Sequence, residues 1–453
     1  MTPSVLGLFN PFMFHFRLAI LPAFACVLLG VSSNSEGRVV RFEITSRQEI
    51  LNGRAFGLAG SFERITGKVH FAVDPANTAN QIITDIKLAP RNGRGEVEFA
   101  ADFFLIKPKD VARGNATLLY EVSNRGGKGM LSFFNLATGS SNPETEAHFG
   151  DGFLLREGYC LLWVGWQFDP PRRDGLMRLY PPIATSSNGP IRGLVRSDFV
   201  VTNPVFAHSL ADREHIPYPV AMPDAPGTQL TVRDAVEAPR QLIPRAQWQF
   251  ARLENGSMMP DSGHVYLQSG FQPGRIYEAV YVSENPPLVG LGPAAVRDAI
   301  SCLKYEGAEP LAVSRGAISR AIGFGISQSG RFLRTFLYYG FNRDEQQRKA
   351  FDGMLIHVAG GGRGSFNHRF AQPSRDAHPF MNFFYPTDIF PFSDMEQADP
   401  ETGLTDGLLR HQGAEFLPKI FYSNSSYEYW GRAASLIHTS VDGKRDVPVP
   451  ANV

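Results

Sequence analysis

The sequence predicts an α/β protein built on a mostly parallel sheet flanked by helices, with a β-rich N-terminal region and insertions. Three observations carry this. Thr117 to Val122, Tyr159 to Val164, Met354 to Ala359 and Lys419 to Tyr422 read as strands, and helical patterns alternate with them. Ala321-Ile322-Gly323-Phe324 is short and apolar, as a strand covered on both faces should be. That strand runs through Gly325-Ile326-Ser327-Gln328-Ser329-Gly330-Arg331 into a helix where Phe332, Leu333, Phe336 and Leu337 recur at helical spacing.

In chain order, Arg17 is followed by an apolar run from Leu18 to Val31 broken only by Pro22, then by Ser32, Ser33 and Ser35. The run is too short to span a bilayer comfortably and fits an export signal over residues 1–33, sending the chain to the periplasm or outside the cell, with a short N-terminal anchor as the alternative. Phe24, two residues before Cys26, makes a poor lipidation site. Residues 34–112 are strand-like: Val69, Phe71 and Val73 alternate, as do Val97 and Phe99, and these segments should supply the first strands of the sheet. Residues 113–169 form the first part of the core. They hold the strand from Thr117, the flexible loop Asn124-Arg125-Gly126-Gly127-Lys128-Gly129, a helix from Gly152 to Glu157 stopped by Gly158, and the strand from Tyr159.

Residues 170–285 are Pro-rich and strand-like, a β-rich insertion with a hairpin expected at Pro273-Gly274 between Val265–Leu267 and Ile276–Val282. The core resumes over 286–453. A helix from Pro293 to Tyr305 places Val296, Ile300 and Leu303 on one face, with Gly307 past its end. Residues 363–417 are irregular and rich in Phe366, Phe370, Phe380, Phe383, Phe384, Tyr385, Phe390 and Phe392, a candidate lid. This segment and the insertion both follow strands on the side of the serine-bearing turn, where loops shape pockets.

The 453 residues carry 44 Lys and Arg against 44 Asp and Glu, so no net field recruits nucleic acid or an anionic membrane. Past the leader no segment is long and apolar enough for stable membrane insertion. Gly 44, Pro 33 and 12% aromatics suit a folded, loop-rich chain. Cys160 and Cys302 fall in apolar patterns and read as core thiols. No Cys/His cluster has metal spacing, and neither metal nor cofactor is implied.

A serine between strand and helix, with small residues two before and two after it, is the pattern of a nucleophile elbow. Ser327 has Gly325 and Ser329 in those places, whereas Ser329 would have the bulky Arg331, so Ser327 is favoured. The plainer use of such serines is to cap the helix. Acyl transfer also needs donors for the oxyanion. The N–H of Gln328 and the Gly-bearing loop at Asn124, Arg125 and Gly126 stand in the right order to provide them.

GISQSGR, with YEVSNRGGKG upstream, GDGFLLREGYCLLWVGWQ between and FYSNSSYEYWGR downstream, resembles the α/β-hydrolase superfamily. It is most like the exported bacterial "α/β-hydrolase domain" proteins, and its GxSxxGR string is similar to that of tannase and feruloyl-esterase-like carboxylesterases. The resemblance runs from about residue 40 to the end. It implies the α/β-hydrolase fold, a Ser–acid–His triad in that chain order, and a small-molecule ester substrate cleaved through an acyl-enzyme. Glu428, after the strand at Lys419, is the acid it points to, with Asp388 and Asp394 as alternatives.

Only His438 follows Glu428; His368, His378 and His411 are the other candidates for the base. The chain reaches Val453 where the family's last strand would begin. The expectation is therefore a C-terminally truncated product, with an open sheet edge and a triad histidine in doubt. Arg331 could neutralise a substrate carboxylate or serve a structural ion pair. A peptidase or amidase on the same fold, or a non-catalytic small-molecule-binding protein, are the alternatives.

Overall fold

The computed structural model describes residues 38–375 and 388–453; the leader, His378, Phe380, Phe383, Phe384 and Tyr385 lie outside them. Three long strands come first, β1 (Arg38–Glu49), β2 (Phe62–Val73) and β3 (Val97–Pro108), paired antiparallel in sequence. Their alternation sends Ile65, Val69, Phe71 and Val73 into the main core.

Next come β4 (Thr117–Glu121), the short helices α1 (Met130–Phe134), α2 (Glu146–Phe149) and α3 (Phe153–Arg156), and β5 (Cys160–Val164). Every residue of β4 and β5 is buried, because both faces are covered. Leu118, Tyr120, Cys160 and Leu162 enter one core, whereas Leu119, Leu161 and Trp163 enter a second on the opposite face. Burial pushes the free thiols of Cys160 and Cys302 up to about 12, so both are inert apolar filler, as expected.

The insertion contributes β6 (Leu179–Tyr180), which pairs with β3, then β7 (Arg192–Phe199), β8 (Val205–Ser209), β9 (Gln229–Arg233) and β10 (Gln241–Leu242). It continues with β11 (Trp248–Gln249), β12 (Ala251–Glu254), β13 (Ser257–Pro260), β14 (His264–Phe271) and β15 (Ile276–Glu284). One sheet has the order β10-β9-β15-β7 and another β11-β14-β8. Val195, Tyr277 and Tyr281 from the first meet Val265, Leu267 and Phe271 from the second in a separate core.

This corrects the expected hairpin at Pro273-Gly274: β14 and β15 are consecutive but belong to different sheets. The connection is a corner, held by Gly274 N–H to Val201 O (3.1 Å) and Gln272 N–H to the Tyr277 hydroxyl (2.8 Å). Period-two burial is the same whether two strands share a ladder or face each other across a core, so the pattern could not separate the cases.

The core then takes α4 (Leu291–Ser301), β16 (Arg320–Ile326), α5 (Gln328–Tyr338) and β17 (Gly353–His357). The hairpin β18 (Gln397–Ala398) and β19 (Thr405–Asp406) precedes β20 (Lys419–Ser423) and α6 (Ser426–Gly431). The main sheet has the order β1-β2-β3-β5-β4-β16-β17-β20, parallel from β5 onward. Beyond β20, Ile420 N–H donates to Asn452 O at 2.7 Å, so chain lies along an edge expected to stand open. Two aromatics of the candidate lid are core residues instead. Phe366 packs on Trp166 (5.0 Å between centroids), and Phe370 packs on Tyr218 (5.4 Å). Among the described residues no helix is long and apolar enough to cross a membrane.

Candidate active site

Ser327 is the single residue between β16 and α5, with φ +56° and ψ −116°. A non-glycine side chain rarely accepts such a backbone, and it persists only where the surroundings over-determine it. Here Ser327 N–H is fixed to His357 O (2.9 Å) and its carbonyl receives Arg331 N–H (3.0 Å). The hydroxyl makes no capping bond, so the plainer helix-cap role is not used.

Two glycines make the turn possible. A Cβ on Gly325 would stand 2.4 Å from Ser329 O, and one on Gly330 would stand 2.7 Å from the Ala359 side chain. The tight positions are thus two before and three after Ser327, not two after it as the sequence pattern suggested. Ser329 is fully buried, with no hydrogen-bond partner for its hydroxyl among the described residues. Arg331 is also buried and donates to Ala359 O (2.8 Å), a structural use that takes it away from any substrate carboxylate.

The oxyanion candidates converge at this turn. β4 runs parallel beside β16, and past their ladder Asn124 Nδ2 donates to Ile326 O at 3.2 Å. Asn124 to Gly127 is a tight turn closed by Gly127 N–H on Asn124 O (2.9 Å), with φ +50° at Arg125 and +81° at Gly126. A Cβ on Gly126 would meet Met177 O at 2.9 Å, so glycine is required there. As the first residue of α5, Gln328 presents an N–H without an intrahelical acceptor.

Sequence reasoning missed a strap over this corner. Pro373–Arg375 forms a single helical turn whose Pro373 O accepts from the Gln328 side chain and whose Ser374 O accepts from Arg125 Nε (3.1 Å). Asp169 Oδ2 takes Ser374 N–H at 3.0 Å, and Arg375 donates to Asp198 O, Ser197 Oγ and Leu210 O of the insertion. The strap therefore bolts both oxyanion candidates to the insertion. Burial pushes the Asp169 carboxyl up, against the pull of His215 and Ser374. Nothing in the local pattern around Asp169 or Ser374 marks them; only tertiary contact brings them together.

A second buried carboxylate, Glu121 at the end of β4, anchors the start of α1. It accepts from Gly129 N–H (2.9 Å), Met130 N–H (2.7 Å) and Trp163 Nε1 (2.5 Å). Burial pushes it up to about 7, and pushes neighbouring Lys128 down to about 8.

The acid candidates Glu428, Asp394 and Asp388 each have a partner other than a histidine. Glu428 follows β20 as expected, where its Oε2 accepts the Ser425 N–H (3.1 Å) and the Ser425 hydroxyl in a capping box. Asp394 is buried against the Tyr422 hydroxyl (2.9 Å), and burial raises its pKa; Asp388 pairs with Arg432 at 2.5 Å. His438 Nε2 meets the Tyr429 hydroxyl (3.1 Å). His411 pairs with Asp406 (3.3 Å) beside Tyr338, at the far end of α5 and roughly 15 Å of helix from Ser327. His368 is half-buried, its pKa lowered by burial and by Arg363. Among the described residues no histidine side chain is hydrogen-bonded to the Ser327 hydroxyl, and no group of His, Cys, Asp and Glu could hold a metal ion.

Residues 246–411 match the family model described as alpha/beta hydrolase domain, a narrower span than the resemblance read from residue 40 to the end. The match takes in β16, Ser327 and α5. No curated protein matches the chain. The fold is that of an alpha/beta hydrolase domain, with a mixed, largely parallel sheet and a β-rich N-terminal region, and it implies hydrolase chemistry.

Proposed function

We propose that the chain is an exported serine hydrolase of carboxylesterase type. Ser327 Oγ attacks the ester carbonyl while a histidine takes its proton. The Gln328 N–H and the turn at Asn124, Arg125 and Gly126 hold the oxyanion. Collapse expels the alcohol, which receives that proton, and water repeats the sequence on the acyl-enzyme to release the acid. Glu428 orients the histidine through Oε1, while Oε2 stays in the capping box.

The base lies in the segment whose Pro373 is bound by the Gln328 side chain, with His368 and His378 flanking it on either side. This departs from the chain order that the family resemblance implies. The observation that carries the proposal is the backbone of Ser327, forced into φ +56° at a strand-to-helix turn while its hydroxyl caps nothing.

Hydrolysis of short p-nitrophenyl esters tests it. The expected result is turnover that falls by about 10³-fold or more in Ser327→Ala. Separate His368→Ala and His378→Ala variants should identify the base, one of them losing turnover on a similar scale. One observation favours a second reading, a non-catalytic binding protein: the Ser327 hydroxyl has no imidazole bonded to it among the described residues. Equal, background-level hydrolysis by wild type and Ser327→Ala would select that reading.

A further inference from the structure

We propose that a groove of about 980 Å³ between the core and the insertion is a second binding site, separate from Ser327, for a ring-bearing apolar carboxylate. Its volume is that of a small-molecule pocket, and it lies where such pockets concentrate, between packed substructures. No residue of the elbow or of the Asn124–Gly127 turn lines it.

The wall is preformed. Pro181, Pro217, Pro219 and Pro287 line it, so its backbone has little freedom left to lose on binding. The Tyr218 ring on the same wall is pinned through its hydroxyl to Ala371 O (2.7 Å), and Tyr281 donates to Tyr218 O (2.9 Å). Phe168 packs on Tyr218 with ring centroids 5.5 Å apart, giving the groove a fixed aromatic surface. Ile183 in the groove is 49% exposed, apolar surface that a hydrophobic ring would cover.

Charge supplies the other half of the ligand. Arg172 is exposed and has no acidic partner among the described residues. Arg178 stacks on Tyr180 and donates to its hydroxyl at 3.3 Å; its backbone N–H donates to Asp102 Oδ2 (2.9 Å), and its guanidinium has no ion pair among the described residues. The single acidic residue lining the groove, Glu284, is taken by Arg192 at 3.2 Å. Two guanidiniums beside an apolar wall select a carboxylate attached to a flat or alicyclic body, since a guanidinium fork matches a carboxylate in two parallel hydrogen bonds.

The test is isothermal titration of the full chain carrying Ser327→Ala, so that the outcome does not depend on hydrolysis. The probes are 2-naphthoate and its neutral counterpart naphthalene-2-methanol. Expected is one naphthoate per chain, bound at least about tenfold more tightly than the alcohol and weakened by added salt. Arg172→Ala combined with Arg178→Ala should remove that preference without shifting Tm. Ile183→Trp, at a half-exposed position, should weaken both probes by narrowing the groove. Equal affinity for the two probes, or no naphthoate binding, overturns the proposal. So does naphthoate binding to wild type that is lost after fluorophosphonate blocks Ser327, because the elbow pocket would then be the site.

Discussion

At the scale of single residues, the site rests on a serine held in a conformation that its own side chain disfavours. Gly325 and Gly330 permit it, because nothing larger fits against Ser329 O or Ala359. Gly325→Ala should cost about 1–3 kcal/mol and open the turn, seen as a lower Tm together with slower probe labelling of Ser327. Unchanged Tm and labelling would mean that the turn has slack the geometry denies. Ser327 was legible in the sequence because strand, serine and amphipathic helix are contiguous. The constraint at Gly330 was not, since Ala359 belongs to chain following another strand. Glu428 separates two roles cleanly. A glutamine at the same position keeps the capping box, so Glu428→Gln should leave stability within about 0.5 kcal/mol of wild type. If Glu428 also orients the base, ester turnover should fall by about 10²-fold or more; unchanged turnover would leave it as a cap alone.

At the scale of elements, β4 and β5 were readable nearly end to end, because burial on both faces leaves an unbroken apolar signature. The corner at Pro273-Gly274 was not, because alternation reports which residues are inside and not which strand lies alongside. The link between β4 and α1 carries its own pH dependence. Burial holds the Glu121 carboxyl at about 7 instead of its ordinary 4.5. Between those values the folded chain keeps a proton that the unfolded chain has lost, so stability from this group falls as pH rises from about 4.5 to about 7. The span corresponds to at most about 3 kcal/mol. Glu121→Gln should flatten this part of the profile, measured as urea midpoints at pH 5, 6 and 7. An identical slope in the variant would contradict the assignment to Glu121.

At the scale of the molecule, the insertion is joined to the core by buried charge as well as by apolar packing. Glu278, buried on β15, accepts from Arg196 (2.6 Å) and Arg240 (2.7 Å) and forms an ion pair with Arg233 (3.3 Å), and Arg196 also meets Asp198, the residue whose carbonyl receives Arg375 of the strap. Removing one member of such a cluster leaves buried charge uncompensated. Glu278→Ala should therefore cost about 3–5 kcal/mol, and, because the strap reaches Gln328, it should slow Ser327 labelling in protein that remains folded. Loss of stability with labelling untouched would mean that the insertion and the elbow are mechanically independent. None of this was legible from the chain alone. Asp169, Asp198, Glu278 and the pair Ser374-Arg375 are far apart in sequence and follow no period, and polar residues in a Pro-rich stretch ordinarily read as solvated loop.

The most direct measurement is fluorophosphonate labelling of the purified chain, followed by peptide mass spectrometry. The account predicts one adduct, on Ser327, absent from Ser327→Ala and retained in a Ser329→Ala variant. An adduct on Ser329, or none on a chain shown to be folded, would contradict the assignment of Ser327 as the nucleophile.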